Sequence, residues 1–355
     1  MTTWLRRIRL SATVVGVGLA MSSGLLPAAG ADPVEPQALF TMHDPRIVES
    51  SSLVVSSVDP GLAYTANDSG DGADIYTIDI NTGDTVAVTT LAGVDPTDAE
   101  AMAPGPGGTL YFADIGDNSA TRRSVTVYWI DQPAATDATV DPQSATLVYP
   151  GGARDAETLL VDPASGRLFL VSKELFGGTI FAAPSRLSTD HTNRLQPVGT
   201  APSLVTDGAF LPSGQVVLRT YTSAVVYDPS SWTALSSTTL PEQPQGESIA
   251  ALPPGPAEVL VGSEGVDSAV YEVRLNLDAQ FSDDQPTRVP VRPGETPPLT
   301  GSGVPDVPPA TGAAPDISAD RNEIDESLTA PILLVSGLIA AAVTIALARR
   351  RTTRR

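Results

Sequence analysis

The sequence predicts an all-β chain folded as a five-bladed β-propeller and closed by its own N-terminal strand. Three observations carry this. An acidic residue recurs at Glu49, Glu100, Glu157, Asp207 and Glu247, spaced 51, 57, 50 and 40 residues apart. Each is followed by short β-branched and aromatic segments bounded by Gly, Pro, Asn and Asp turns, the composition of strands and tight connections. The last set is one strand short, while a spare apolar segment, Q-A-L-F-T-M at 37–42, precedes the first. A period of about 40–50 residues with four strands per unit is the mark of propeller blades. Pairing the first strand with the last closes the ring and leaves no seam open. A six-bladed ring is the alternative count.

Taken in order, the first repeat offers strands at 52–56, 62–66, 75–80 and 85–91. The second has 110–113, 124–130 and 145–149 after the segment led by Glu100, and the third has 168–172, 179–182 and 195–199 after Glu157. The fourth runs through 216–220, 224–227 and 232–240, with Asp207 in place of Glu, and the fifth ends with 258–262 and 269–275. A β-sandwich of similar strand count leaves the recurring acid unexplained.

Both ends of the chain read as membrane signals. Arg6, Arg7 and Arg9 precede a mostly apolar stretch, and A-G-A at 29–31 suits a small-x-small cleavage site, so residues 1–31 are expected to be a signal peptide. Residues 32–276 form the propeller, and 277–327, rich in Pro, Asp, Gly and Thr, are too poor in large apolar residues to fold and form a disordered tether. Residues 328–348 carry no charge and are long enough for one transmembrane helix. The arginines at 349–351 and 354–355 place the tail, 349–355, in the cytoplasm and the propeller outside the cell. The P-P-A-T-G at 308–312 departs from a wall-sorting signal in having Pro where Leu is usual.

Charge narrows the partners. All 41 acidic residues lie beyond position 31, and between 32 and 330 they face only 13 Lys and Arg, a balance of 13 − 41 = −28. Such a surface repels phosphate backbones, which argues against nucleic acid. Cysteine is absent, so disulfides and thiolate metal sites are unavailable.

Propeller geometry converts the repeat into a candidate site. The loop leading into each innermost strand and the loop joining the second and third strands emerge on one face. Glu49, Glu100, Glu157, Asp207 and Glu247 are therefore expected to ring the axis. The second-to-third-strand loops add Asn67, Asp68, Asp71, Asp114, Asp117, Asn118, Lys173, Glu174, Arg219, Tyr221, Ser263 and Glu264. Lys173 is the one lysine in the chain. The opposite-face turns, P-G, P-A-S-G, P-S-G and P-P-G-P, offer little to coordinate anything. Five carboxylates round a channel need compensation. An axial Ca²⁺, with these five acids as its metal ligands together with backbone carbonyls, is one solution. Ion pairs with Lys173 and Arg219 are a second, and hydrogen bonds from the adjoining blade's N–H groups a third.

Other chemistries find less support. N-D-S-G-D-G-A-D at 67–74 matches the opening of an EF-hand loop, but position twelve would be Ile78 rather than Glu. Walker, dinucleotide and G-x-S-x-G patterns are absent from the sequence. Of the two histidines, His43 is expected in a turn held by Asp44, and His191 in a solvated loop.

The ordered set N-D-S-G-D at 67–71, D-A-E at 98–100, A-D-I-G-D-N at 113–118, D-A-E-T-L at 155–159, S-K-E at 172–174, D-G-A-F at 207–210, L-R-T-Y at 218–221, Q-G-E-S-I-A at 245–250 and V-G-S-E-G at 261–265 resembles a group of secreted bacterial β-propeller proteins. That resemblance implies the fold and an extracellular location. More distantly, the acidic lead-ins are similar to those of five-bladed calcium-activated nucleotidases, which implies a calcium-binding tunnel. The expected function is a membrane-anchored propeller that binds an extracellular ligand, glycan or protein through its acidic face. The alternative is a calcium-dependent hydrolase of phosphoesters or glycosides.

Overall fold

The structure is a computed structural model and describes residues 37–68 and 72–277. The expected signal peptide, the tether beyond Leu277, the apolar run and the basic tail lie outside the described residues, as does Asp71.

Five antiparallel sheets follow one another along the chain, one per repeat. The first blade is Ser50–Val55, Leu62–Asn67, Asp74–Asp79 and Thr85–Leu91. The second is Ala99–Gly105, Thr109–Asp114, Val125–Asp131 and Gln143–Val148. The third is Ala156–Val161, Leu168–Ser172, Thr179–Ala182 and Gln196–Thr200, and the fourth Val205–Phe210, Val216–Thr220, Ser223–Asp228 and Thr233–Thr239. The fifth contributes Gly246–Ala251, Glu258–Ser263 and Ser268–Arg274, and its outer strand is Ala38–Met42 from the start of the chain. Thr41 pairs with Ala269 and Met42 with Ser268, so the spare N-terminal segment closes the ring. Five blades, not six, account for the described residues.

The innermost strands pack against one another in a circle, first on second through to fifth on first. One apolar cluster fills each seam between neighbouring blades. Ala101, Val127 and Leu147 meet Leu159, Leu170 and Phe181 between blades two and three, and Phe40, Leu53 and Tyr76 meet Ala250 and Leu260 between five and one. Because an inner strand is covered on both faces, it reads as an unbroken buried run: Ser50–Val55 and Ala156–Val161 are buried at every residue. Outer strands have one wet face and alternate, as Thr85–Leu91 does.

Two short strands were not legible in the repeat. Ala138–Val140, in the second blade's last connection, pairs in parallel with Thr85–Leu91 of the first blade. Asn193–Arg194 does the same from the third blade onto Gln143–Val148. Each long connection reaches back to cover an otherwise open sheet edge. The first of these insertions lies within the widest interval, the 57 residues from Glu100 to Glu157.

Candidate functional site

The register places the lead-in and the second-to-third-strand loop of each blade at one end of the axis. Ser50 pairs with Asn67, Ala99 with Asp114, Ala156 with Ser172, Val205 with Thr220, and Gly246 with Ser263. Just inside this mouth every inner strand has a β-bulge, with one residue more than its partner strand. A bulge re-aims the extra side chain out of the ladder. The bulge residues are Ser51, Glu100, Glu157 and Thr206, with Glu247 and Ser248 together opposite Gly262 in the fifth blade.

This register corrects the expected ring. Glu100, Glu157 and Glu247 occupy equivalent positions, but Glu49 stands two residues before its bulge and Asp207 one residue after. The equivalents in blades one and four are hydroxyls, and each is tied to the next inner strand: Ser51 Oγ donates to Ala99 O at 3.2 Å and Thr206 Oγ1 to Gly246 O at 3.5 Å. Glu49 is half-buried at the rim. Asp207 is sealed in the seam between blades four and five, where it accepts from its neighbour's Gly208 N at 2.7 Å and from Ile249 N at 2.8 Å. Burial lifts its carboxyl above the usual range, and those two N–H groups and Arg219 pull the other way.

Arg219, expected at the site face, also belongs to that seam. It is fully buried and donates to Gly262 O at 2.8 Å, to Ser248 O, and to Gln243 Oε1 at 2.6 Å. Asn67 and Asp114 are loop pins. Asn67 Oδ1 accepts from Val48 N and Glu49 N at 3.1 and 3.0 Å, and Asp114 Oδ1 accepts from Thr97 N and Asp98 N at 3.2 and 2.9 Å. Asp114 also pairs with Arg122 at 2.8 Å. Asp117 accepts from Arg122 N at 2.7 Å, and Asn118 is exposed. Ser263 Oγ closes the fifth blade's loop through Gln245.

What remains is an acidic group with Lys173 in its midst. Lys173 Nζ lies 3.0 Å from Glu157 Oε1 and 5.4 Å from the centre of the Tyr221 ring. Burial works against the ammonium, but Glu157 and Glu247 outweigh it and hold Lys173 protonated above its ordinary range. Burial, then Glu157, Asp98 and Asp68 raise Glu100 to about 10. Burial raises Glu157 to about 8 against the pull of Lys173. Glu264 is lifted to about 8 by burial and by Glu247, Asp68 and Glu49, and Asp98 to about 6 by burial and by Asp68 and Asp155. These mutual effects join blades one, two, three and five across the tunnel. Glu247 Oε1 accepts from Gln245 Nε2 at 3.3 Å, whereas its Oε2 is buried without a hydrogen bond among the described residues. Gly116 keeps room for the group, since a Cβ there would meet Asp98 and Glu100 at 2.6 and 2.7 Å.

No family model and no curated protein matches this chain. Among solved structures it is similar to a chain of a nidogen/laminin complex, with 15% identity and a TM-score of 0.41, over 66% of this chain and 79% of that one. It is also similar to a gluconolactonase of Xanthomonas campestris, with 11% identity and a TM-score of 0.39, over 66% of this chain and 89% of that one. No function is carried across from either.

Among the described residues no three Asp, Glu or His side chains converge as metal ligands do. The Lys173 ammonium lies against Glu157 and within the field of Glu247. Asp98 and Asp155 were missed as site residues although both stand in the D-A-E motifs, two residues before their bulges. Asp155 Oδ1 accepts from Asp117 N at 2.9 Å and fastens the second blade's loop to the third. His43 meets Asp267 at 3.1 Å, not Asp44, whose carboxylate instead holds Arg46. Both His43 and Asp267 are exposed on the rim.

Proposed function

We propose that this is a binding propeller, and that its acidic mouth receives a ligand through a protonated amine or guanidinium group. One observation supports this most directly. Glu100, Glu157, Glu247 and Glu264 share Lys173 as a counter-charge at a single mouth to which Asp68 and Asp98 add negative charge, and Glu247 Oε2 is buried without a hydrogen bond. A cationic group lowers the energy of that arrangement in two ways, by Coulomb attraction and by donating to the one carboxylate oxygen that lacks a donor, Glu247 Oε2. A lysine or arginine of an extracellular protein, or a polyamine, has this chemistry. The apolar run at 328–348 and the arginines behind it support display of the mouth outside the cell on a tether.

Calorimetric titration with spermidine tests the proposal, with calcium chloride and a neutral oligosaccharide as comparisons. The expected result is saturable binding of spermidine that weakens with added salt and with falling pH. Stabilisation should reach about 2.7 kcal/mol at a hundredfold excess over Kd. Binding of the oligosaccharide alone overturns the cationic reading, and a calcium response of the same size moves it to a metal site. Turnover of phosphoesters or glycosides that is lost in Glu100→Gln would replace the binding reading with the hydrolase one.

A further inference from the structure

The axis has a second end, and it is built from the opposite material. Below the bulges the inner strands line the axis with residues of both strand faces, among them Leu53, Met102, Leu159 and Ile249, with Gly208 in the fourth blade. Two residues further still lie Val55, Pro104, Val161, Phe210 and Ala251. At a strand rise of about 3.3 Å per residue these layers sit roughly 7 and 13 Å below the acids. They line a cavity of about 180 Å³, open at one end, whose wall includes all five blades. Its rim is formed by turn residues of the face away from the acids, Ser57, Pro163, Pro212 and Pro253. Three of these four are prolines, which have no N–H to offer water or a polar ligand.

We propose that this cavity is a second ligand site, distinct from the acidic mouth, and that it takes a small hydrocarbon group, aromatic or short-chain alkyl. The inner strands are edge strands of their sheets, so unpaired backbone groups also face the axis, but the side chains of the wall other than Ser57 are apolar. A void of roughly 150 Å³ lined by Leu, Ile and Phe accepts benzene. The axial cavity is of similar volume, with side chains of the same kind. Its walls are inner strands buried on both faces and fixed by the seam clusters. Collapse onto the void is therefore resisted, and a ligand of matching volume regains the contacts the walls lack.

Met102 allows the proposal to be read directly. The full chain labelled with ¹³C-methyl methionine is titrated with benzene and, separately, with 1-hexanol. The Met102 signal, assigned by its loss in Met102→Leu, should shift and saturate. Met42, on the closing outer strand, is the internal control and should hold still. Ala251→Phe, which fills the lower layer, should reduce the Met102 shift at least tenfold in apparent affinity. Where that variant does not fold, competition between the two probes for one saturable shift serves the same purpose. A Met102 signal that does not move, or that moves linearly together with Met42, overturns the proposal. Spermidine should leave Met102 unmoved, so failure at one end of the axis is distinguishable from failure at the other.

Discussion

The seam between blades four and five and the mouth shared by blades one, two, three and five are made from the same residue types, yet they are opposite in character. In the seam, Asp207 and Arg219 are both buried, and their partners are chiefly backbone: two N–H groups for the carboxylate, two carbonyls for the guanidinium. At the mouth, Glu100, Glu157 and Glu247 are buried and Glu264 is half-buried, and Lys173 acts on all four. A buried charge whose partners are the fixed dipoles of its own fold is structural. One whose nearest neighbours are charges of its own sign has room for something from outside.

The largest expected effect breaks the seam. Arg219→Met removes the donors of Ser248 O, Gly262 O and Gln243 and leaves Asp207 without its cation. The cost is expected at about 3–5 kcal/mol, measured by chemical denaturation, with spermidine binding by the surviving folded protein unchanged. Loss of binding at unchanged stability would reverse the assignment of the two regions.

Next comes Lys173→Met. The ammonium is partly exposed and Glu157 can take up a proton, so the loss should be smaller, about 2 kcal/mol. Removing the resident cation should tighten spermidine binding at high pH. Weaker binding would mean that Lys173 itself holds the ligand.

The pH profile sharpens the contrast. Glu157 and Glu264 are raised to about 8 and Glu100 to about 10, so between the ordinary carboxyl range and those values the folded chain holds protons that the unfolded chain has released. The folded state thus loses stability as pH rises. The melting temperature without ligand should fall from pH 5 to pH 9, while spermidine affinity rises over the same interval. A flat profile would show that the mouth is already neutralised.

The smallest change, Glu100→Gln, keeps shape and removes one proton-dependent charge. It should raise the melting temperature by a few degrees at pH 9, about 1 kcal/mol, and by almost nothing at pH 5. Equal shifts at both values would place the effect in packing rather than in charge.

Blade number, strand order and the closing N-terminal strand could be read from residues alone, because turn chemistry and alternation are local and the acid recurs with the blade. Ala138–Val140 and Asn193–Arg194 could not, since their only structural role is to lie against another blade's edge. The lower cavity was also hidden. Its lining reads as ordinary core, and its prolines read as turns.

The chain therefore determined by itself a five-unit β repeat with an acid near the start of each unit and few bases to balance it. Tertiary structure alone decided which acids count. A side chain's direction in a strand reverses with each residue, and a bulge shifts that count by one. The two-residue offset of Glu49 and the one-residue offset of Asp207 are small in the sequence. They separate a rim position and a sealed strut from the three glutamates that share the mouth.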